Sequence, residues 1–180
     1  SGCPTRLWFD ADGDGQFADA DEIGAEAMAL KLADAAGADF DTLHAPELVE
    51  IQEAGPLRVV VKLSGHHQNA EGKGFFTYRN RFVFHAGSPL VRMYTLWGND
   101  EPGEFAEMEG LSLQLPTSPG EGARWTVGLG DGQIASGKGD MKLEQLRDDR
   151  FTLEPAGGDL PAKSRADGWV DVSNERWGLT

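Results

Sequence analysis

The chain has little with which to tie itself together covalently or to enter a membrane. Of its 180 residues only Cys3 is a cysteine, so an intrachain disulfide is excluded. No apolar run approaches the ~20 residues of a membrane-spanning helix, and the N-terminus lacks the basic-then-apolar order of a signal peptide. Basic residues are also scarce: sixteen Lys and Arg stand against thirty Asp and Glu, a net charge of −14 at pH 7. Such a surplus repels nucleic acid and anionic lipid, so neither nucleic acid nor membrane is an expected partner. Any anionic ligand must be met by a local basic patch. Finally, a sustained 3.6-residue apolar period is missing outside "EAMALKLADAAG" (26–37) and residues 103–109.

What the chain does contain is turn chemistry. Twenty-four glycines and nine prolines punctuate short apolar runs, the pattern of many short strands. In 26–37 the alanines favour helix, but Met28, Leu30 and Leu32 alternate with Ala29 and Lys31, and period two predicts a strand, with a short helix as the alternative. Runs at 48–53 and 57–64 flank "AGP", where Gly55 and Pro56 make a turn. In "FFTYRNRFVFH" the alternation places Phe76, Tyr78, Asn80, Phe82 and Phe84 on one face and Thr77, Arg79, Arg81, Val83 and His85 on the other. "AGSP" then turns the chain into "LVRMYTLWG". A symmetric hairpin there sets Arg81 opposite Tyr94 and Val83 opposite Arg92. The second half continues in short alternating segments. The expected fold is all-β, an antiparallel β-sandwich of the supersandwich kind with short strands and long loops, about ten strands or more in one domain over 1–180. "SPGEGA" (118–123) carries the best internal boundary signal and is read as a long loop.

Two constellations carry chemistry. "FDADGDGQFADADE" (9–22) places Asp10, Asp12, Asp14, Gln16 and Asp21 at positions one, three, five, seven and twelve of a calcium loop, with Gly15 at the bend at six. Alternate residues of a tight coil turn their carboxylates inward, Gln16 offers its backbone carbonyl, and Asp21 replaces the usual bidentate Glu. Phe17 is expected to pack outward against the body of the domain. Strands flank the loop on both sides, so the expected cofactor is a structural calcium in a β hairpin; the alternative is an acidic turn without an ion.

The second constellation is basic and aromatic. His66 and His67 end one expected strand, Tyr78, Arg79 and Arg81 lie on the next, and Arg92 and Tyr94 on the third. Arginine forks match carboxylates, and a His/Tyr pair supplies base and acid for abstracting a proton beside a uronate. Arg79, Arg81, Arg92 and Tyr94 are thus candidate substrate contacts, and His66, His67 and Tyr78 candidate catalytic groups. The bland alternative is the wet face of an antiparallel sheet. The histidine pair is not a metal site, because neighbouring strand residues point to opposite faces.

In "VEIQEAGPLRVVVKLSGHH", "FFTYRNRFVFHAGSPLVRMYTLW" and "ADGWVDVSNERWGLT" the chain resembles the exo-rhamnogalacturonan lyase family of bacterial polysaccharide-degrading proteins. Members join an N-terminal barrel-like β domain, a central β-sandwich and a C-terminal α/α toroid. The resemblance implies that this chain is the central sandwich of a larger multidomain protein, with the other two domains as neighbours. It also implies an acidic polysaccharide as ligand, β-elimination at a uronate as the whole protein's reaction, and an extracellular or periplasmic location. It assigns no catalytic residue. The competing expectation is a calcium-stabilised carbohydrate-binding or adhesion module without chemistry, for which an exposed aromatic platform among Trp8, Trp97, Trp125, Trp169 and Trp177 would speak.

Overall fold

The computed structural model describes residues 1–10, 12–24, 26–103, 105–117, 122–130, 132–139, 141–147, 150–154, 168–175 and 178–179. They form two compact units, Ser1–Phe9 with Gly15–Thr117, and Asp10–Asp14 with Ser118–Thr180. The division after Thr117 falls where the Gly/Pro segment carries its boundary signal.

The first unit holds β1 (Leu7–Trp8), β2 (Glu22–Gly24), β3 (Ala29–Asp34), β4 (Asp39–Asp41), β5 (Leu48–Ala54), β6 (Arg58–Gln68), β7 (Gly74–His85), β8 (Arg92–Gly98) and β9 (Met108–Gln114). A strongly curled half-barrel sheet runs β8-β7-β6-β4-β3-β9, with β5 paired to β6, and every ladder is antiparallel. The all-β, antiparallel fold class stands. Most strands are short, but β6 and β7 reach 11 and 12 residues. Residues 103–109 are not helical where described, since Met108 opens β9; among the described residues the sole helical turn is the 3-10 turn Asp19–Asp21.

Period two decides β3 against its alanines. Leu30 and Leu32 are buried while Lys31 is exposed, and Leu32 lies between Phe40 of β4 and Leu111 of β9. Pairing on both edges outweighs the helix preference of alanine, which amounts to a few tenths of a kcal/mol per residue, ~0.7 at most. The sheet's inner face buries Cys3, Met28, Leu30, Tyr78 and Phe82 in one cluster and Leu32, Phe40, Phe75 and Phe76 in another. Each such side chain contributes about 1.5–3 kcal/mol by leaving water. Asn80, a buried polar residue of this face, donates from Nδ2 to Gly2 O at 2.9 Å and so ties the N-terminal segment to β7.

The β6–β7 ladder slips by one residue between His66 and His67, which pair with Thr77 and Phe75, so Phe76 is the extra residue of a bulge. Its φ of 52° is unusual for an aromatic residue. Burial holds it there: the ring stacks on Trp97 at 6.1 Å between centroids, and its carbonyl faces His67 Nδ1 at 2.9 Å.

The second unit contains β10 (Arg124–Gly130), β11 (Gln133–Lys138), β12 (Lys142–Arg147), β13 (Arg150–Glu154), β14 (Val170–Ser173) and β15 (Gly178–Leu179). One sheet has the order β11-β10-β14-β15, and β12 pairs with β13. Trp125, Val127, Leu129 and Leu153 form its buried cluster. Gly137 lies opposite Trp125, where a Cβ would stand 2.2 Å from the indole, so only glycine fits under that ring.

Candidate functional site

The face of the β5–β8 region turned away from the core is written in rows by the register. One row reads Glu50, Lys62, Arg81, Tyr94, and the next Leu48, Ser64, Arg79, Leu96. On the other side of the first row stand Val60, Val83 and Arg92, and beyond the second stand His66, Thr77 and Gly98. The hairpin is as symmetric as the alternation implied: Arg81 faces Tyr94 and Val83 faces Arg92. Arg79, Arg81, Arg92 and Tyr94 therefore share one face. With Arg58 and Lys62 it carries five of the chain's sixteen Lys and Arg, which makes it basic against the sign of the whole.

Charge is sorted across this face strand by strand. The carboxylates lie on and just before β5, and the cations of β6 meet them. Arg58 pairs with Glu53 at 2.5 Å, and Lys62 Nζ with Glu50 Oε2 at 2.8 Å, a hydrogen bond that holds the Glu50 carboxyl below its usual value. Beyond β6 no acid projects from this face of β7 or β8. Arg81 donates Nε to the neutral Gln52 Oε1 at 2.8 Å, and among the described residues no carboxylate pairs with Arg79 or Arg92. Two open depressions follow the strands. One of about 350 Å³ is lined by Arg58, Arg81, Arg92 and Tyr94, and the other, of about 450 Å³, by Glu47, Ser64, Arg79 and Leu96.

The two histidines have opposite surroundings. His66 holds Glu47 Oε1 at 2.5 Å from Nδ1 and Asp100 Oδ2 at 2.8 Å from Nε2. The Glu47 contact first, and Asp100 second, raise its pKa, because both carboxylates favour the imidazolium. His67 is fully buried, its ring edge-on to Tyr78 at 5.4 Å, and burial lowers its pKa. Tyr78 lies in the core cluster, where burial pushes its hydroxyl up to about 12. Of the three candidate acid–base groups, His66 stands on the face that carries the arginines, Tyr78 is buried at the edge of the depression beside Arg79, and His67 is enclosed.

Sequence reasoning missed Glu47, Gln52 and Asp100. Gln52 was accessible in principle, since the hairpin about "AGP" places β5 beside β6. Glu47 and Asp100 lie 19 and 34 residues from His66 in chain segments outside the strands, and no local pattern marks them.

In the acidic loop Asp10, Asp12 and Asp14 bring carboxylate oxygens within 4.8 Å of one another. Asp10 Oδ1 accepts from Gly13 N at 2.7 Å and Asp14 N at 3.2 Å, while Gly13 and Gly15 take the positive φ (74° and 76°) that turns alternate side chains the same way. Three hard oxygen donors held together suit a hard cation such as calcium or magnesium. The flanking strands are as expected, β1 pairing with β2. Gln16 and Asp21 belong to the first unit, where Asp21 Oδ2 closes the 3-10 turn by accepting from Ala18 N at 2.9 Å. Phe17 does not pack: it is 65% exposed, because the β1–β2 ladder is only two strands wide and offers no broad apolar face.

Among the tryptophans, Trp125 is buried, Trp8 is partly exposed with Arg6 over its ring at 4.7 Å, Trp169 is half-buried, and Trp97 is about half exposed; Trp177 lies outside the described residues.

The comparisons with curated proteins and with solved structures found no match. A family match covers residues 35–124, half of the chain, and is described as the central β-sandwich domain of PcRGLX-like proteins. The segments at 49–67 and 75–97 fall inside the matched span, and the one beginning at Ala166 lies beyond it. A domain called central has neighbours in its protein, and β4 to β9, with the arginine face, lie within the matched residues, whereas β3 precedes them. The chain belongs to the PcRGLX-like, rhamnogalacturonan lyase-like family and carries that family's central β-sandwich domain.

Proposed function

We propose that this domain serves a bacterial enzyme that cleaves uronate-containing polysaccharide outside the cytoplasm, and that its part is to bind the acidic chain through Arg79, Arg81, Arg92 and Tyr94. The observation that carries the reading is the sorting of charge: among the described residues the cations of β6 are matched by carboxylates, whereas Arg79 and Arg92 are not. A guanidinium without a carboxylate partner, on a −14 chain, keeps its fork available for a carboxylate of the ligand. Within this reading, any proton transfer contributed by the chain falls to His66, while His67 and Tyr78 hold the strands from inside. The enzyme's neighbouring domains are the N-terminal β domain and the α/α toroid.

The test is calorimetric titration of the chain with acidic and neutral polysaccharides, beside the Arg79→Gln/Arg81→Gln/Arg92→Gln variant. Binding of the acidic polymer alone, lost in the variant, is the expected result; equal binding of both polymers would sink the reading. Assay of the multidomain protein for the ultraviolet absorbance of an unsaturated sugar then separates an enzyme from a non-catalytic carbohydrate-binding or adhesion module. That second reading is favoured by Trp97, whose half-exposed ring is an available platform for a sugar.

The acidic loop has a structural part in the same proposal. Asp10, Asp12 and Asp14 would hold calcium, which relieves the repulsion of adjacent carboxylates. An ion bound only by the folded chain stabilises it by about 2.7 kcal/mol at a hundredfold excess over Kd. One site per chain by calorimetry and a melting temperature higher in calcium than in chelator are expected; no heat and no shift would leave an acidic turn.

A further inference from the structure

Resting on the polysaccharide reading, we infer that the acidic chain lies parallel to β7 and β8 as an extended polyuronate, meeting one arginine in each of three successive rows. Arg92 stands in the row of Val83, Arg81 in that of Tyr94 and Arg79 in that of Leu96. Rows on one face are two residues apart, so these guanidinium-bearing positions follow one another at about 7 Å along the strands. The two depressions lie one after the other in the same direction, the first beside Arg92 and Arg81 and the second beside Arg79.

The neighbouring lane is apolar. Tyr94 and Leu96 stand directly opposite Arg81 and Arg79, and both are about half exposed. Each of those rows offers a cation beside an apolar surface, which fits a pyranose that carries a carboxylate and presents the C–H groups of its ring. Across the strands the polymer would run from the arginines of β7 towards Glu50, Glu53 and Glu47, whose carboxylates line the β5 side. Those carboxylates already engage Arg58, Lys62 and His66, so the cations on that side are taken up and the arginines left to a ligand lie along the strands. The occupant is therefore a run of carboxylated sugars rather than one terminal uronate.

The experiment is titration of the full chain with uronate oligosaccharides of increasing length, followed by the single variants Arg79→Gln, Arg81→Gln and Arg92→Gln. Affinity is expected to climb with length until the oligomer reaches from Arg92 to Arg79 and then to flatten. Each variant should lower affinity for the long oligomer about two- to fivefold, the worth of one exposed ion pair. Arg79→Gln and Arg92→Gln, at the two ends, should also move the plateau to a shorter oligomer. Affinity independent of length but abolished by Arg81→Gln alone would overturn the three-row path while leaving polysaccharide binding in place. A sulfated polymer bound as tightly by the wild type and by Tyr94→Ala would overturn the choice of carboxylated sugars. No binding of any uronate would bring down both the path and the reading it rests on.

Discussion

The inner and outer faces of β6 and β7 are written by alternate residues of the same two strands, yet they obey different physics. Inside, Tyr78, Asn80, Phe82 and His67 are buried against the N-terminal segment and β3 or the bulge; His67 Nδ1 and Asn80 Nδ2 are held by hydrogen bonds of 2.9 Å, while His67 Nε2 and Asn80 Oδ1 find no partner among the described residues. Outside, Lys62 and His66 are partly exposed and Arg79 and Arg81 sit in water, where an ion pair is worth little and an unpaired cation costs little. Adjacent histidines show the contrast at its sharpest: one stands between two carboxylates, and the other has been stripped of water. A face that tolerates unpaired arginines can keep them for a ligand, whereas the core cannot.

The largest break in that contrast should come from Phe82→Ala, which empties a core position and is expected to cost about 3–5 kcal/mol in urea unfolding. Asn80→Ala comes next, since it leaves the Gly2 carbonyl without its donor, at a cost of about 1–3 kcal/mol. A loss no larger than that of a surface substitution in either case would mean that the inner face is not a packed core.

The histidines sharpen the contrast through pH. His66, raised above 6.5, contributes stability that is fully present below that pH and is lost as pH rises through its folded-state value. His67, lowered below 6.5, acts in the opposite sense: the folded chain resists its protonation, so stability falls as pH drops below 6.5 towards the folded-state value. With its side chain a third exposed, His66 should account for no more than about 1 kcal/mol. Nuclear magnetic resonance titration of the two rings should place His66 above 6.5 and His67 below it, and the reverse order would remove the distinction between the faces. The smallest effect is expected from Arg79→Gln, within about 0.5 kcal/mol in stability, because no partner is lost. A larger loss would reveal a structural role for that arginine and weaken its assignment to a ligand.

Much of this was legible from residue order. The period of two in "FFTYRNRFVFH" sorted Tyr78 to Phe82 into a buried and an exposed face, although Val83 is buried and Phe84 exposed beyond them, and the "AGSP" turn set Arg81 against Tyr94 because a hairpin's register follows from its turn. The carboxylate spacing from Asp10 to Asp14 likewise carried over into three oxygens close together, since the loop is short and its glycines fix the bends. Less was legible where the chain departs from regular alternation. The bulge at Phe76 is marked by no glycine, and the packing of Phe17 could not be judged without knowing how wide a sheet would stand beside it.

By itself, then, the sequence determined the strands, the two faces of β7 and the acidic spacing, because those depend on neighbours within a few residues. Only the tertiary structure decided which arginines remain without a carboxylate and which histidine becomes a cation. Glu53, Glu50, Glu47 and Asp100 reach Arg58, Lys62 and His66 from other strands and loops, and charge pairing across such distances depends on where the folded chain brings them.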